Sequence, residues 1–269
     1  MLVIIIFTGF LVGLVSTYFG IGGGVIIVPV LYTIFPSLAP ETVISTSLAV
    51  ISLNNFVNIF IYQKKGLYPQ YKIIIPLTII MLIGVFWGTK VTAALPAIQL
   101  KRLFSFVLMA SSIFTFFKSS PAELPTDKAL NLGKMKWLVT AVCFFMAGII
   151  STTTGIGGGI LVIPLFIHLI KIPYRIIPVN ANIIVLFGVL LGTVFYLFDG
   201  KTYQPIDFGL QVLQIGPINL NLVFLIAFFA LFTSFAGIKI SQKTNPAWSK
   251  RCFAIMLLVV AISFFTSTL

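Results

Sequence analysis

Long apolar segments, joined by short polar connections, dominate this chain of 269 residues. A helix crosses the hydrocarbon core of a bilayer, about 30 Å thick, with roughly 20 apolar residues. Charged residues make up 8% of the chain, against about 25% in soluble domains. The sequence therefore predicts an integral membrane protein and excludes a soluble enzyme with a large polar domain. The apolar segments cover roughly residues 2–19, 24–35, 42–62, 73–95, 103–117, 137–154, 160–170, 176–198, 217–238 and 252–268.

Each of these segments is expected to be an α-helix. In hydrocarbon only helices and closed barrels satisfy their own backbone hydrogen bonds, and these runs are continuous rather than alternating like barrel strands. The first residues carry no basic region and lead into further apolar segments, so we expect the first segment to be retained rather than cleaved. Cys143 and Cys252 lie in apolar runs and are expected to be packing residues, not a disulfide or a metal pair.

An internal repeat divides the chain into two halves. Residues 13–31 match residues 148–166 at a constant offset of 135, with nine of nineteen positions identical. Farther along, residues 86–90 match 235–239 and residues 101–104 match 250–253 at an offset of 149. The additional residues of the second half fall between 199 and 217, in a polar loop. We predict a first membrane repeat at 1–117, a cytoplasmic linker at 118–136 and a second membrane repeat at 137–269.

The basic residues predict how the two halves are oriented. If each half has an odd number of crossings, the second half is inverted. Of the 17 basic residues, 13 then lie on one face, and the other face holds Lys90, Lys101, Arg102 and Lys201. If residues 2–35 instead form one broken span, the halves are parallel and the same residues divide 8 to 9. Because cytoplasmic loops carry an excess of Lys and Arg, we predict inverted repeats, with both termini outside.

Four glycines in five residues interrupt the apolar stretch in each half, at 20–24 and at 155–159. Each glycine costs a helix about 1 kcal/mol relative to alanine, so we predict paired broken helices or hairpins at these positions. Broken backbone is tolerated at membrane depth only where it is buried in protein or lines a wet cavity. In transporters with inverted repeats, paired breaks form the substrate site. The alternative is that the glycines only let helices cross closely.

The polarity of these breaks favours an anionic ligand. The helix after each break presents free N–H groups and the positive end of its dipole to the loop. Neighbouring hydroxyls could add donors, and polar residues near the starts of the third segments align at the same offset. The candidate substrate-binding residues are Ser16, Thr17, Gly20, Gly22, Gly23, Gly24, Ser45, Thr46, Ser47, Ser151, Thr152, Thr153, Gly155, Gly157, Gly158, Gly159, Asn180 and Asn182.

Acidic residues, which could bind sodium or a metal, are absent from the interior of the apolar segments. All the acidic residues lie in loops or at segment ends, at Glu41, Glu123, Asp127, Asp199 and Asp207. This distribution disfavours a sodium or metal site, and the glycine pattern is no nucleotide motif. The net charge of +12 comes from short loops, so topology and anionic lipid explain it and no nucleic-acid partner is expected.

A few polar residues within or beside the segments have structural interpretations. Asn54, Asn55 and Asn58 are interpreted as helix-to-helix hydrogen-bond groups rather than ligands. The matched Lys90 and Lys239 lie near segment ends, where most lysines extend to the interface, and an anion-attracting function is the alternative.

The duplicated Gly-Ile-Gly-Gly-Gly, each followed by a proline at Pro29 or Pro164, and the Ser-Thr-Ser of 45–47 carry a family resemblance. The chain resembles, over essentially its whole length, the TauE/SafE family of sulfite and organosulfonate exporters, also called the toluenesulfonate uptake permease superfamily. The resemblance implies a permease of the cytoplasmic membrane for small sulfur-containing anions, such as sulfite, sulfoacetate or other organosulfonates. The Asn-Ala-Asn of 180–182 departs from the Ser/Thr pattern, which implies a site with unequal donors.

We therefore expect a multi-pass exporter that works by alternating access and is not an enzyme. Its expected partners are a small anion and membrane lipid, with no metal and no cofactor, and the sequence allows a homo-oligomer. An inside-negative potential drives anions outward by about 2.3 kcal/mol per charge per 100 mV. An anion channel and an uptake permease for other small organic acids are the alternatives, while an intramembrane enzyme has few candidate acid–base groups.

Overall fold

The computed structural model describes residues 1–117, 133–198, 201–203, 213–244 and 246–266, and these are almost entirely helical. The first half contains α1 (Leu2–Phe19), α2 (Gly24–Ile34), α3 (Pro40–Lys64), α4 (Tyr71–Ala94) and α5 (Ala97–Phe117). The second half contains α6 (Lys134–Thr154), α7 (Gly159–Leu165), α8 (Ile177–Leu197), α9 (Leu220–Lys243) and α10 (Pro246–Thr266). A π-helical turn (Phe166–Ile170) continues α7, a 3-10 turn (Tyr174–Ile176) precedes α8, and a two-stranded antiparallel hairpin, β1 (Gln214–Ile215) and β2 (Ile218–Asn219), precedes α9.

The predicted all-α membrane architecture is confirmed. Seven of the described helices, α1, α3, α4, α5, α6, α8 and α9, have the length and apolar composition of membrane spans. The largest differences from the predicted boundaries are at two helix starts, because α5 begins at Ala97 rather than at 103 and α10 begins at Pro246 rather than at 252. The first two turns of these helices include the basic residues at 101–102 and 250–251. These residues lie outside the apolar segments that hydropathy predicts. The small β-hairpin lies where hydropathy predicts a loop and the start of a helix.

The distribution of polar side chains is the reverse of that in a soluble protein. Large apolar side chains such as Phe106 and Phe228 are exposed by 63% and 56%, whereas Asn58 and Asn182 are fully buried. Lipid stabilises an apolar surface, and polar groups avoid hydrocarbon. Polar side chains therefore collect inside the bundle.

Contacts between the halves show the direction of the helices. Gly9 of α1 lies against Ile226 of α9, and Thr17 near the end of α1 lies against Gly237 near the end of α9. These two helices are therefore parallel. The start and end of α9 also lie beside the start and end of α3, so α1, α3 and α9 run in one direction.

The helices that pair with α4 run in the opposite direction. Gly84 of α4 lies against Phe145 of α6, and Gly88 lies against Ile149, so α4 and α6 are parallel. Both α3 and α4 pack on α8, which is parallel to α4 and antiparallel to α3. It follows that α6 is antiparallel to α1. The second half is inverted relative to the first, and the parallel arrangement that the sequence left open is excluded.

The packing repeats itself when the two halves are exchanged. The pair α1 and α9 corresponds to the pair α6 and α4, while α3 packs on α8 and α5 packs on α10. The long helices of each half therefore pack mainly on helices of the other half, and the two halves are interlocked. The division of the chain at 118–136 stays a prediction, because residues 118–132 lie outside the described ranges.

Substitution of glycine by alanine in the two crossings should destabilise the protein. A methyl group at Gly13 would overlap the Ala230 carbonyl, and one at Gly84 would overlap the Phe145 carbonyl. Overpacking of this kind costs about 1–3 kcal/mol, so both variants should lower the thermal unfolding midpoint in detergent, measured by tryptophan fluorescence. Gly133→Ala is the control, because nothing lies within 4 Å of its new Cβ. Equal midpoints for all three variants would contradict the tight crossings.

Candidate functional site

The glycine-rich interruptions form left-handed turns that end one helix and reverse the chain. The φ angle is 78° at Gly20, 87° at Gly22 and 92° at Gly23, a region that residues with a Cβ atom rarely adopt. Gly23 then lies beside Val12 of α1, so α2 runs back along α1 as a hairpin. The second turn, between α6 and α7, has positive φ at the equivalent glycines, which are Gly155, Gly157 and Gly158.

The two turns contact each other in the interior of the bundle. A Cβ atom at Gly24 would be 2.5 Å from the Gly155 carbonyl oxygen, and one at Gly159 would be 2.6 Å from the Cα of Ile21. Both turns also pack on Ile51 of α3, which is fully buried. The backbone of the two breaks therefore meets at one place.

A tyrosine hydroxyl binds the helix end that precedes each turn. Tyr62 donates to the Thr17 carbonyl at 3.3 Å, and Tyr196 donates to the Thr152 carbonyl at 2.8 Å. The two threonines are equivalent at the offset of 135. Carbonyls at a helix end lack an intrahelical N–H donor, and here the tyrosine O–H groups donate to them instead. The Tyr196 hydroxyl also lies 2.9 Å from Thr92 Oγ1.

The hydroxyls beside the turns fall into two groups. Thr17, Thr152 and Thr153 donate to carbonyls four residues earlier in their own helices, at 2.7, 3.1 and 2.6 Å. The hydroxyls of Ser16 and Ser151, which are equivalent in the repeat, are buried and have no hydrogen-bond partner among the described residues. The two serines therefore keep a donor that a ligand could use.

The polar residues at the starts of α3 and α8 have different partners. Ser47 Oγ donates to the first carbonyl of the second glycine turn at 2.8 Å, whereas Ser45 donates within α3 at 3.4 Å. Thr46 accepts the backbone N–H that precedes α9 at 3.2 Å, and Asn180 accepts the backbone N–H that precedes α4 at 2.8 Å. Asn182 donates within its helix at 3.0 Å. Ser47 is thus the member of this group with a hydrogen bond to a glycine turn.

The structure does not confirm the interpretation of three asparagines of α3 as helix-to-helix hydrogen-bond groups. Asn54, Asn55 and Asn58 are between 0% and 1% exposed. In the part of the chain that the structure describes, neither amide atom of any of the three has a hydrogen-bond partner. Asn55 lies beside Gly22, where both amide atoms are 3.7 Å from the position of a Cβ. Their spacing in an apolar segment is the sequence signal that could have singled them out.

A pocket of about 350 Å³ lies at one end of the bundle, between the last turns of α4 and α8. Its lining includes Lys90, Lys201 and Tyr196, and Lys201 forms an ion pair with Glu41 at 2.6 Å. Because Tyr196 also binds the Thr152 carbonyl, the pocket ends close to the second glycine turn.

A second pair of lysines lies at the opposite end of the bundle. Partial burial, and then the nearby charge of Lys239, lower the pKa of Lys65 from its usual value. Lys239 is the counterpart of Lys90 at the offset of 149, so matched lysines lie at the two ends. Glu41 is the single acidic residue within the described ranges, and it lies at the Lys90 end. Within those ranges, no acidic side chain lies at the Lys65 end.

Lys101 and Arg102 lie within α5 rather than in the loop where the sequence placed them. The Lys101 ammonium is 4.5 Å from the ring centroid of Tyr32, which stabilises the cation through the face of the ring. Both residues lie near the start of their helix, at the same end of the bundle as the pocket.

The sequence is similar to known membrane transporter proteins over most of its length. The family model described as "Sulfite exporter TauE/SafE" matches residues 5–264. A probable membrane transporter protein of Haemophilus influenzae is 28% identical over 261 residues, which cover 96% of this chain and 93% of the relative. A probable membrane transporter protein of Methanocaldococcus jannaschii is 30% identical over 256 residues, which cover 91% and 88%. No solved structure matches the chain. Because the family match includes both glycine turns and nearly all of the described helices, the protein belongs to the TauE/SafE family of membrane transporters.

Proposed function

We propose that the protein exports small sulfur-containing anions, such as sulfite, sulfoacetate or other organosulfonates, by alternating access. The observation that carries the proposal is the contact between two glycine turns of inverted halves. Serine hydroxyls and carboxamides that have no hydrogen-bond partner among the described residues lie in the same region of the helices. Non-helical backbone and unpaired polar groups are both costly inside a membrane, so their coincidence supports a ligand site there.

The charge of the surrounding groups supports an anionic ligand. The groups beside the turns are hydroxyl and amide donors, and Glu41 lies in the first turn of α3, away from them. The helix α2 starts directly after the first glycine turn, so its free N–H groups and positive dipole end favour negative charge. Without side chains, the glycines let the two turns pack closely on each other and on Ile51.

The two tyrosine contacts support a transporter rather than a channel. Tyr62 and Tyr196 bind the helix ends before the two turns, one in each half. Because the halves are inverted, release of one contact would open the site toward one side, while the other contact keeps the opposite side closed. A channel would require both contacts to be open together.

The charges at the two ends support export. Lys65 and Lys239 lie at the end that we propose to be cytoplasmic, where they would raise the local concentration of anions. An inside-negative potential adds about 2.3 kcal/mol per charge per 100 mV in the outward direction. The proposal places the protein in the cell membrane, with the linker in the cytoplasm and both termini outside, and it assigns no catalytic residue and no cofactor.

Purified protein should bind sulfur oxyanions, and changes in the glycine turns should weaken this binding. In a calorimetric screen of sulfite, sulfate, thiosulfate, sulfoacetate, taurine and carboxylate analogues, we expect the tightest ligands to be sulfur oxyanions or sulfonates. Gly22→Ala and Gly157→Ala place a Cβ 2.6 and 2.9 Å from atoms of Ile51. These close contacts displace the turn that we propose to hold the anion, so affinity should fall about tenfold.

Gly66→Ala is the matched control for these two variants. Gly66 has the same left-handed conformation, with φ of 71°, but nothing lies within 4 Å of its added Cβ. The Gly66→Ala variant should bind the sulfur oxyanions as tightly as the wild type does. Cations as the tightest ligands, or full affinity in both Gly22→Ala and Gly157→Ala, would contradict the proposed site.

The lysines at the proposed cytoplasmic end should speed anion capture. In vesicles of known orientation, Lys239→Gln should slow the initial export rate by up to about tenfold at low ionic strength, because steering by charge is weakened. The difference should disappear near 1 M salt, where the screening length is about 3 Å. Lys134→Gln removes the same charge from the exposed start of α6 and should change the rate little. A salt-independent loss in Lys239→Gln would rule out steering.

A further inference from the structure

We propose that Asn54, Asn55 and Asn58 of α3 bind the transported anion directly, and that they select an oxyanion that also carries a hydrogen-bond donor. This inference rests on the proposed function and names side chains of the site that lie outside the glycine repeat. It also defines the substrate class more narrowly than "small sulfur-containing anion".

One face of α3 contacts both glycine turns and the end of α1. Ser47 donates to the second turn at 2.8 Å, and Ile51 packs on both turns. Asn55 lies beside the first turn, and Tyr62 donates to the end of α1 at 3.3 Å. Steps of three or four residues keep side chains on the same face of a helix. Asn58 lies on this face between Asn55 and Tyr62, and Asn54 is one turn before Asn58.

The three carboxamides are buried without the partners that folded proteins normally provide. All six amide nitrogen and oxygen atoms are unpaired within the described ranges. A buried amide without a hydrogen bond is strongly unfavourable, and such groups are rare in folded proteins. Ser52 on the same helix shows the usual arrangement, because its hydroxyl donates to the Leu48 carbonyl at 2.8 Å. A cluster of three unpaired carboxamides therefore indicates a ligand.

The second half of the protein lacks these carboxamides. At the offset of 135, the counterparts in α8 are Val189, Leu190 and Thr193. The Thr193 hydroxyl donates within its own helix at 2.7 Å. Val189 is buried as Asn54 is, so the repeated fold accepts an apolar side chain at that buried position. Leu190, in contrast, is 42% exposed and has a different environment from Asn55. The ligand should lie closer to α3 than to α8.

The hydrogen-bond donors and acceptors of the carboxamides indicate which kind of ligand they bind. Each carboxamide offers two N–H donors and one carbonyl acceptor, with no net charge. The N–H groups, together with the Ser16 hydroxyl, suit the oxygens of a sulfite or sulfonate group. The carbonyl oxygens are satisfied by a ligand that itself donates, as hydrogensulfite or a hydroxylated sulfonate does. A site with buried polar groups rejects an analogue that leaves them unpaired.

Two sulfonates that differ by one hydroxyl test this selection. Wild-type protein should bind 2-hydroxyethanesulfonate at least about tenfold more tightly than ethanesulfonate, measured by calorimetry in detergent. Asn55→Ala and Asn58→Ala should each weaken binding of the hydroxylated sulfonate about tenfold and remove the preference. Asn58→Asp should weaken binding further than Asn58→Ala, because a carboxylate repels the anion.

Thermal unfolding separates ligand binding from a structural function. Removal of an unpaired buried amide should leave the unfolding midpoint of the ligand-free protein unchanged or raised, whereas loss of a structural hydrogen bond should lower it. Ser52→Ala is the control on the same helix and should bind both sulfonates as the wild type does. Asn58→Thr copies the counterpart Thr193 and serves as the second variant if Asn58→Ala does not fold.

Unchanged affinity in Asn55→Ala and in the position 58 variants would overturn the assignment of these residues. A midpoint that falls together with the affinity would overturn it as well. Equal wild-type affinity for the two sulfonates would overturn the selection of a donor. Failure of the proposed function is distinguishable, because the wild-type protein would then bind neither sulfonate nor any other sulfur oxyanion in the screen.

Discussion

Backbone that is not helical cannot face lipid, and this constraint shapes the whole bundle. Each glycine turn leaves helix-end N–H and C=O groups without intrahelical partners, and each turn lies against the other half. Gly24 is packed on the Gly155 backbone, and Ser47 donates to the same carbonyl. This mutual burial requires the halves to interlock, as they do where α1 packs on α9 and α4 on α6. Neither half alone contains the complete centre.

Hydropathy and the repeat predict the helices and the paired breaks in them, and the basic residues predict the inverted halves. Whether each break is a broken span or a hairpin stayed open in the sequence, and the structure shows hairpins. A cluster of glycines breaks a helix whatever its neighbours are, and basic loops orient a half as a unit. Hydrogen-bond partners depend instead on contacts between distant residues. Thr17 and Ser16 are adjacent candidates in the sequence, yet the Thr17 hydroxyl bonds within α1 and the Ser16 hydroxyl has no partner in the described ranges.

The asparagines of α3 show the same limit. A polar side chain in an apolar segment can be satisfied by a neighbouring helix or by a ligand, and the sequence does not distinguish the two cases. Within the described ranges, Asn54, Asn55 and Asn58 are buried and have no hydrogen-bond partner, which favours the ligand that we propose. The start of α5 is another feature that depends on a distant contact. Hydropathy assigns Lys101 to a loop, but the Tyr32 ring beside it stabilises the charge within the helix.

The exchange of helices between the halves also affects how the protein is made. The chain is synthesised from its N-terminus, so α1 is complete long before its partner α9 exists, and α4 is complete before α6. During that interval the first glycine hairpin and the carboxamides of α3 lack the surfaces that bury them. Such groups are costly beside lipid, so the first half cannot reach its final packing until the second half is available to cover them. The polar centre can therefore be completed only after the helices of the second half that bury it have been synthesised.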